Sequence, residues 1–366
     1  MTKRKIAIFI SGEGYGHLVR QRALISELLK YKKRIKITVF TSKNINILKK
    51  KFKKKISYIK IKRTLETSKS IDGKLNIKKT KKNFALWYKN KNNWIKSNLN
   101  SMKNFDLIVS DFMPEVFELA NKTGKIAFGM AHFTWDWFYK TLYGKDKVYF
   151  ELIKTIKMSK KIYFPPFTNK EIVKNLKSKV VNINFILSEF EDKKKHGEVL
   201  KCLIMDNGNR TMTKLIENTL IYLKNLKNIS FILRTDFLSK KSKKIISSSN
   251  NMTGVRGLKE THQNIIYADF IIARGGFNTI SECLVLKKPS LLFNESGNPE
   301  IKENLKIMQR KKYCGIIKHS NFGKKIKRRI DIFLSKEFSK IKKSLLKKKY
   351  ASNGAAQAAR SIIRYI

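Results

Sequence analysis

Twice along this chain an apolar run ends in glycines and gives way to a helix-period pattern, and that arrangement constrains the fold more than any other feature. Ile6–Ile10 leads into Gly12, Gly14 and Gly16, after which Leu18, Leu24, Ile25, Leu28 and Leu29 recur at helical spacing. Phe270–Ala273 leads into Arg274-Gly275-Gly276, followed by a helical pattern over Asn278–Leu286. A continuous apolar run suits a parallel strand buried on both faces, and strand–loop–helix–strand is the unit of a doubly wound sheet.

Further strands are expected after the first loop at Ile35–Phe40, Ile56–Ile61, Asp106–Ser110, Ile126–Met130 and Lys161–Pro166. Residues from about Lys62 to Asn100 are polar and Lys/Asn-rich, and read as a helical or mobile insertion in which Trp87, Tyr88 and Trp94 stand out. The charged run in Glu189–Glu198 reads as a linker. A second α/β series follows, with strands at Leu200–Met205, Ile229–Leu233, Phe270–Ala273 and Ser290–Phe293 and a glycine-containing loop at Asp206–Arg210.

A length of 366 residues suits two domains of about 150–180 residues each. The expected division is an N-terminal α/β domain over 1–188 with the insertion at about 62–100, a C-terminal domain over 199–345, and a closing Ala-rich helix in 346–366. Two such halves, with glycine loops at their strand ends, predict a ligand cleft between them. No internal sequence repeat is evident.

Composition removes several classes. Hydrophobic residues make up 42% with 23 Phe and 13 Tyr, enough for two cores and too many for a disordered chain. Cys202, Cys283 and Cys314 are far apart, without metal-ligand spacing, and read as reduced thiols. Neither a metal nor a cofactor is expected, and no Asp-x-Asp motif is present. The apolar run behind Met1–Lys5 is too short for a signal peptide, and no stretch reaches the length of a membrane span. A cytoplasmic protein is expected.

The formal charge is +54, from 81 Lys+Arg against 27 Asp+Glu. Three readings stand: solvated faces built from biased composition, attraction to an anionic membrane surface, or nucleic-acid binding. The last has no recognition motif behind it and is not expected. If the charge serves a membrane, Trp87, Tyr88 and Trp94 among lysines would be interfacial anchors, and the protein would sit peripherally on the inner face. The counter-reading packs those rings into the core.

The first loop, Gly12-Glu-Gly-Tyr-Gly16-His17, lets the backbone approach a ligand and leaves helix N–H groups exposed to it. It is not a dinucleotide fingerprint. The third glycine falls at His17, and Phe40-Thr41-Ser42 stand where an acidic residue is wanted. His17, at the end of a strand, suits a general base on an acceptor hydroxyl. Arg20 and Arg22, a turn on, either bind phosphate or face solvent. Asp111, ending another strand, is a second base candidate or a helix cap before Phe112-Met113-Pro114.

In the second loop, Gly275 and Gly276 clear the approach to a helix start where Thr279 and the N–H groups would meet a diphosphate, with Arg274 or Arg210 adding positive charge. Glu282, one turn in, is placed to accept both hydroxyls of a ribose. The bland alternative is a helix cap with Glu282 in solvent.

At these residues a resemblance emerges. Ala268–Gly315, with its small-residue loop, Thr-x-Ser-Glu helix, Lys288-Pro289, Asn304 and Gly315, resembles the donor half of the UDP-glycosyltransferase superfamily, especially the lipid II-forming GlcNAc transferase. Gly12-x-Gly-x-Gly-His17 is similar to that superfamily's first glycine loop. Ser110-Asp111 and His132–Tyr139 resemble the glycosyltransferase-like domain of arabinokinase-type proteins. The resemblance implies a GT-B fold, two Rossmann-like domains facing a cleft. It also implies metal-independent transfer from a nucleotide sugar to a glycan or lipid-linked acceptor. Glu282 would hold the ribose, Gly275, Gly276 and Thr279 the diphosphate, and His17 would stand near the acceptor. Glu300 occupies the place of an amide that contacts the donor sugar. A non-catalytic sugar- or nucleotide-binding domain and a nucleotide-sugar epimerase are the alternatives on the same scaffold.

Overall fold

The computed structural model describes residues 2–62, 65–70, 74–187, 199–205 and 212–366. The chain forms two compact units. The first comprises Met1–Ser68, Asn76–Ser188 and Ala351–Ile366, and the second Lys69–Leu75 and Glu189–Tyr350.

The first unit is built on a seven-stranded parallel sheet of β1 (Arg4–Ile10), β2 (Ile35–Thr41), β3 (Ser57–Lys60), β4 (Leu107–Asp111), β5 (Ile126–Met130), β6 (Lys161–Phe164) and β7 (Val180–Asn182), ordered β3-β2-β1-β4-β5-β6-β7. From Ile6 onward β1 is buried on both faces, which explains its unbroken apolar run. The order reverses between β1 and β4, whose register sets Ile10 beside Asp111. Crevices at such reversals, beyond the strand C-termini, are where doubly wound sheets bind ligands. Helix α1 (Tyr15–Leu28) springs from the glycine loop at that point.

The expected insertion holds a long helix, α2 (Ile77–Met102), capped by the Asn76 side chain, which accepts from Lys79 N–H at 2.9 Å. Thr80, Phe84, Trp87, Lys91 and Ile95 form its buried stripe at helical spacing. Trp87 is buried and donates its indole N–H to Glu115 at 2.9 Å, at the start of α3 (Glu115–Lys122). Trp94 is half-buried, edge-on to Phe9. Trp87 therefore packs into the core, as the counter-reading has it, and Trp94 does so in part. Lys91 is buried between Glu118 and Glu151. Burial works against its charge, but hydrogen bonds and charge from both glutamates outweigh that and raise its proton affinity. Helices α4 (Trp135–Tyr143) and α5 (Lys147–Ile156) follow β5.

The second unit repeats the plan with six parallel strands, β8 (Leu200–Met205), β9 (Ile229–Arg234), β10 (Met252–Val255), β11 (Phe270–Arg274), β12 (Ser290–Phe293) and β13 (Gly315–Ile317), ordered β10-β9-β8-β11-β12-β13. Its reversal lies between β8 and β11, so Arg274 ends a strand at the equivalent of Asp111's position. Helix α6 (Phe277–Val285) follows β11, and α7 (Pro299–Arg310) follows β12. The last helix, α8 (Gly354–Ile363), returns to the first unit, where Ala355, Ala358 and Ile362 join the core cluster of Ile6, Ile8 and Leu24. Strands β7, β10 and β13, unforeseen from the sequence, are three or four residues long. Such runs are too brief to show a period.

Candidate functional sites at the two glycine loops

In the first unit two side chains crowd the glycine at 12. A Cβ there would stand 2.4 Å from Glu66 Oε1 and 2.5 Å from Ser42 Oγ. Lys43 holds this corner, its ammonium donating to Gly12 O at 3.0 Å and to Glu66 Oε2 at 2.7 Å. Glu13 accepts from Thr67 N–H at 2.7 Å and from the Thr67 hydroxyl. The room expected for a ligand at Gly12 is thus filled by a carboxylate of the chain. Gly14 is the N-cap of α1, in extended backbone, with no side-chain cap, and Gly16 lies in the first turn.

One and two turns on, α1 contributes to a buried polar cluster. His17 Nδ1 lies 3.2 Å from Asp111 Oδ2, and Arg20 donates through Nη2 to Asp111 Oδ1. Arg20 Nη1 stands 3.0 Å from Nδ1 of His132, which follows β5. Asp111 is fully buried, His17 and Arg20 nearly so. Burial pushes the Asp111 carboxyl up, but the charges and hydrogen bonds of Arg20 and His17 outweigh it and hold it below the usual carboxylate range.

This corrects two sequence expectations. Asp111 is enclosed, ionised and shared between two donors, so it is placed to orient His17 rather than to act as a base. Nor does it cap the following helix, because the turn is tied by Ser110, whose Oγ accepts from Met113 N–H at 3.2 Å and donates to Met113 O at 2.8 Å. Arg20 neither faces solvent nor lies open to phosphate. Phe112, immediately after Asp111, has φ 69°, a conformation costing a bulky L-residue about 1–3 kcal/mol. It is held there by Trp135 Nε1 donating to its carbonyl at 2.8 Å, with its ring 5.3 Å from that of His17.

In the second unit, α6 begins behind Gly276 with no side-chain cap, leaving its first N–H groups without the usual hydroxyl or carboxylate acceptor from the N-cap. The two glycines differ in role. A Cβ at Gly275 would stand 2.7 Å from Leu305 of α7, so this glycine serves packing rather than ligand approach. A Cβ at Gly276 would meet only Arg274 Nη1, at 3.7 Å. Asn304 Nδ2 donates to Gly275 O at 3.2 Å and fixes the loop. Thr279 is half-buried in the first turn and Glu282 is buried one turn in.

Arg274 donates Nε to Glu295, a buried residue just beyond β12, which also accepts from Lys69 Nζ at 2.9 Å. Burial opposes the Glu295 charge, yet Arg274 and Lys69 hold its carboxyl below the ordinary range. Arg274 and Lys69 thus share one carboxylate. Sequence reading passed over Glu295. The available signal was register, since β12 lies beside β11 with Phe293 opposite Arg274. Glu300 is half-buried in the first turn of α7, whose N-cap Asn298 accepts from Glu300 N–H at 3.1 Å. There its charge favours the helix start. Arg210 lies outside the described residues.

Two parallel α/β units with glycine loops at their sheet reversals make the GT-B fold, and comparison with solved structures agrees. The glycotransferase of kitacinnamycin superposes with a TM-score of 0.70 at 12% identity, covering 100% of both chains. UGT2 of Phytolacca americana, complexed with UDP-2fluoro-glucose and pterostilbene, gives 0.67 at 12% identity over 99% of both. A putative UDP-N-acetylglucosamine 2-epimerase from Listeria monocytogenes gives 0.65 at 10% identity, over 100% of this chain and 96% of that one. At such identities the likeness is one of fold. More particularly, residues 203–362 match the glycosyltransferase family 28 C-terminal domain. No curated protein sequence matches the chain.

Proposed function

We propose that this protein transfers a sugar from a UDP-linked nucleotide sugar to a hydroxyl of a glycan or lipid-linked acceptor. The uncapped start of α6 carries the reading. N–H groups behind Gly276 would receive the diphosphate, each anionic contact at a helix start being worth about 0.3–2 kcal/mol. Glu282 would accept the ribose hydroxyls. The UDP-sugar complex of the Phytolacca relative and the family 28 match support the nucleotide.

In the first unit, His17 Nε2 would take the acceptor's proton while Asp111 holds Nδ1–H and stabilises the imidazolium. The hydroxyl oxygen then bonds to the anomeric carbon, the bond to the diphosphate oxygen breaks, and the nucleoside diphosphate leaves with the charge that the helix start stabilises. This reading needs neither metal nor cofactor.

Ligand-observed binding across a panel of nucleotide sugars, followed by mass spectrometry of products, tests it. Transferred sugar is the expected result. Binding without turnover would leave a sugar-nucleotide-binding domain, and an isomerised nucleotide sugar would make the protein an epimerase.

We place the reaction in the cytoplasm, at an anionic membrane surface. No described helix is long and apolar enough to cross a membrane. Support comes from α2, which carries six lysines besides the buried Lys91 and no acidic residue, and from exposed Leu86 and Tyr88 on it and Phe150 on α5. Co-sedimentation with anionic vesicles should fall as salt rises and as Leu86 and Phe150 become Ala. Equal binding to neutral vesicles, or none at low salt, would point to a soluble acceptor.

A further inference from the structure

Arg20 touches three groups through two nitrogens, and those contacts constrain where protons lie. A guanidinium only donates, so the His132 Nδ1 that stands 3.0 Å from Arg20 Nη1 bears a lone pair. A neutral ring in that state carries its proton on Nε2. His17 is different, because its Nδ1 also faces Asp111 Oδ2 at 3.2 Å, and an ionised carboxylate only accepts.

Arg20 Nη2 also lies 3.1 Å from His17 Nδ1 with the distance and angle of a hydrogen bond. It would compete with the bond to Asp111, since one nitrogen cannot both accept from Arg20 and donate to Asp111. Two donors that serve the two oxygens of one carboxylate are neighbours by necessity, and the separation follows from that sharing. Asp111 is fully buried and needs both donors to satisfy its charge.

We infer that Arg20 is a positioning residue that sets the two histidines in opposite tautomers, His132 directly and His17 by completing the shell of Asp111. His17 carries its proton on Nδ1 and His132 on Nε2, so the outer nitrogen of one ring accepts and that of the other donates. An alcohol does both, giving its proton to one partner and accepting from the other. An ionised phosphate only accepts and matches one ring. Where one group meets both outer nitrogens, the pair selects a neutral hydroxyl as acceptor group. This last step rests on the transferase reading, whereas the tautomer assignment does not.

Nitrogen-15 NMR of histidine-labelled full-length protein at neutral pH, without substrate, is the test, with the five histidines assigned by single substitution. Opposite tautomers at His17 and His132 are expected, and Arg20→Met should turn the single His132 signature into a mixture of tautomers. The same tautomer on both rings, His132 protonated on Nδ1, or an unchanged His132 signature in a folded Arg20→Met would overturn the assignment. Because Arg20→Met leaves a buried carboxylate short of a donor and can fail to fold, the wild-type spectrum decides first. With turnover in hand, His132→Ala should raise acceptor KM about tenfold, the loss of one hydrogen bond, with kcat less affected. An unchanged KM would remove the hydroxyl selection and leave the tautomers standing. Absence of turnover in the wild type would count against the transferase reading alone.

Discussion

The two glycine loops occupy matching places, each at the reversal of a parallel sheet and each leading into a helix, yet they are furnished in opposite ways. In the first, Glu66 lies against Gly12, and the loop is braced by Lys43, Glu13 and Thr67. In the second, Gly276 has only the Arg274 guanidinium against it before a helix that, like α1, has no side-chain cap, and Arg274 and Lys69 share Glu295. A helix start whose N-cap supplies no side-chain acceptor favours an anion. A loop already carrying its own carboxylates favours neutral groups that hydrogen-bond. On the proposed reading, one backbone motif would serve two kinds of recognition through the side chains set against it.

The largest effect that could break this contrast concerns the division of labour. His17→Ala should slow transfer by about 10²–10⁴-fold, the range for losing a general base, and leave nucleotide affinity near its wild-type value. Glu282→Ala should do the reverse, weakening nucleotide binding by about 1.5–3 kcal/mol for each charged hydrogen bond lost. Titration of UDP together with steady-state rates separates them. If His17→Ala weakens UDP as much as Glu282→Ala does, the two loops are not specialised as described.

The next effect is on stability and separates neighbouring glycines. Gly275→Ala drives a methyl into Leu305 and should cost about 1–3 kcal/mol, the usual penalty for overpacking. Gly276→Ala has room and a φ of −71° that any residue adopts. It should leave the melting temperature nearly unchanged and act on nucleotide affinity instead. Thermal unfolding with and without UDP checks both. Equal melting temperatures for the two variants would show that Leu305 moves aside and that Gly275, too, serves the ligand.

How legible this was depended on distance along the chain. The sheets could be read because β1, β4, β5 and β11 are buried on both faces and advertise it in uninterrupted apolar runs. His17, Glu282 and Gly276 were legible because strand, loop and helix are contiguous. What escaped was everything contributed from afar. Glu66 reaches Gly12, His132 reaches Arg20, and Lys69 reaches Glu295 across 54, 112 and 226 positions respectively. Asp111 was legible as a residue but its partners were not, since the register of β1 with β4 and the reach of Arg20 decide them. Trp87 and Trp94 looked stranded among lysines because a long helix presents one buried stripe and a charged remainder, which a linear scan mixes together.

The smallest effect is also the most direct probe of the contrast, and it lies at Glu66. Its carboxylate is paired on one oxygen with Lys43, while Oε1 is buried without a hydrogen-bond partner where a side chain at position 12 would be. If that charge is what makes the first loop unlike the second, Glu66→Gln should make the loops more alike. The variant keeps shape and an acceptor oxygen, removes the negative charge, and releases the Lys43 ammonium from its ion pair. Pyrophosphate should then bind weakly at the first loop, gaining about 0.3–2 kcal/mol over wild type, the scale of an anion at a helix start. With a net charge of +54, bulk titration would register diffuse binding, so the readout must be local. Backbone amide shifts of Gly12, Gly14 and Gly16 should move with pyrophosphate in Glu66→Gln and stay still in wild type, at a salt concentration that screens surface lysines. Movement in both proteins would show that the first loop accepts anions despite Glu66, and the reading of a neutral hydroxyl there would fall with it. Movement in neither would assign the difference to the backbone of the first loop rather than to its carboxylate.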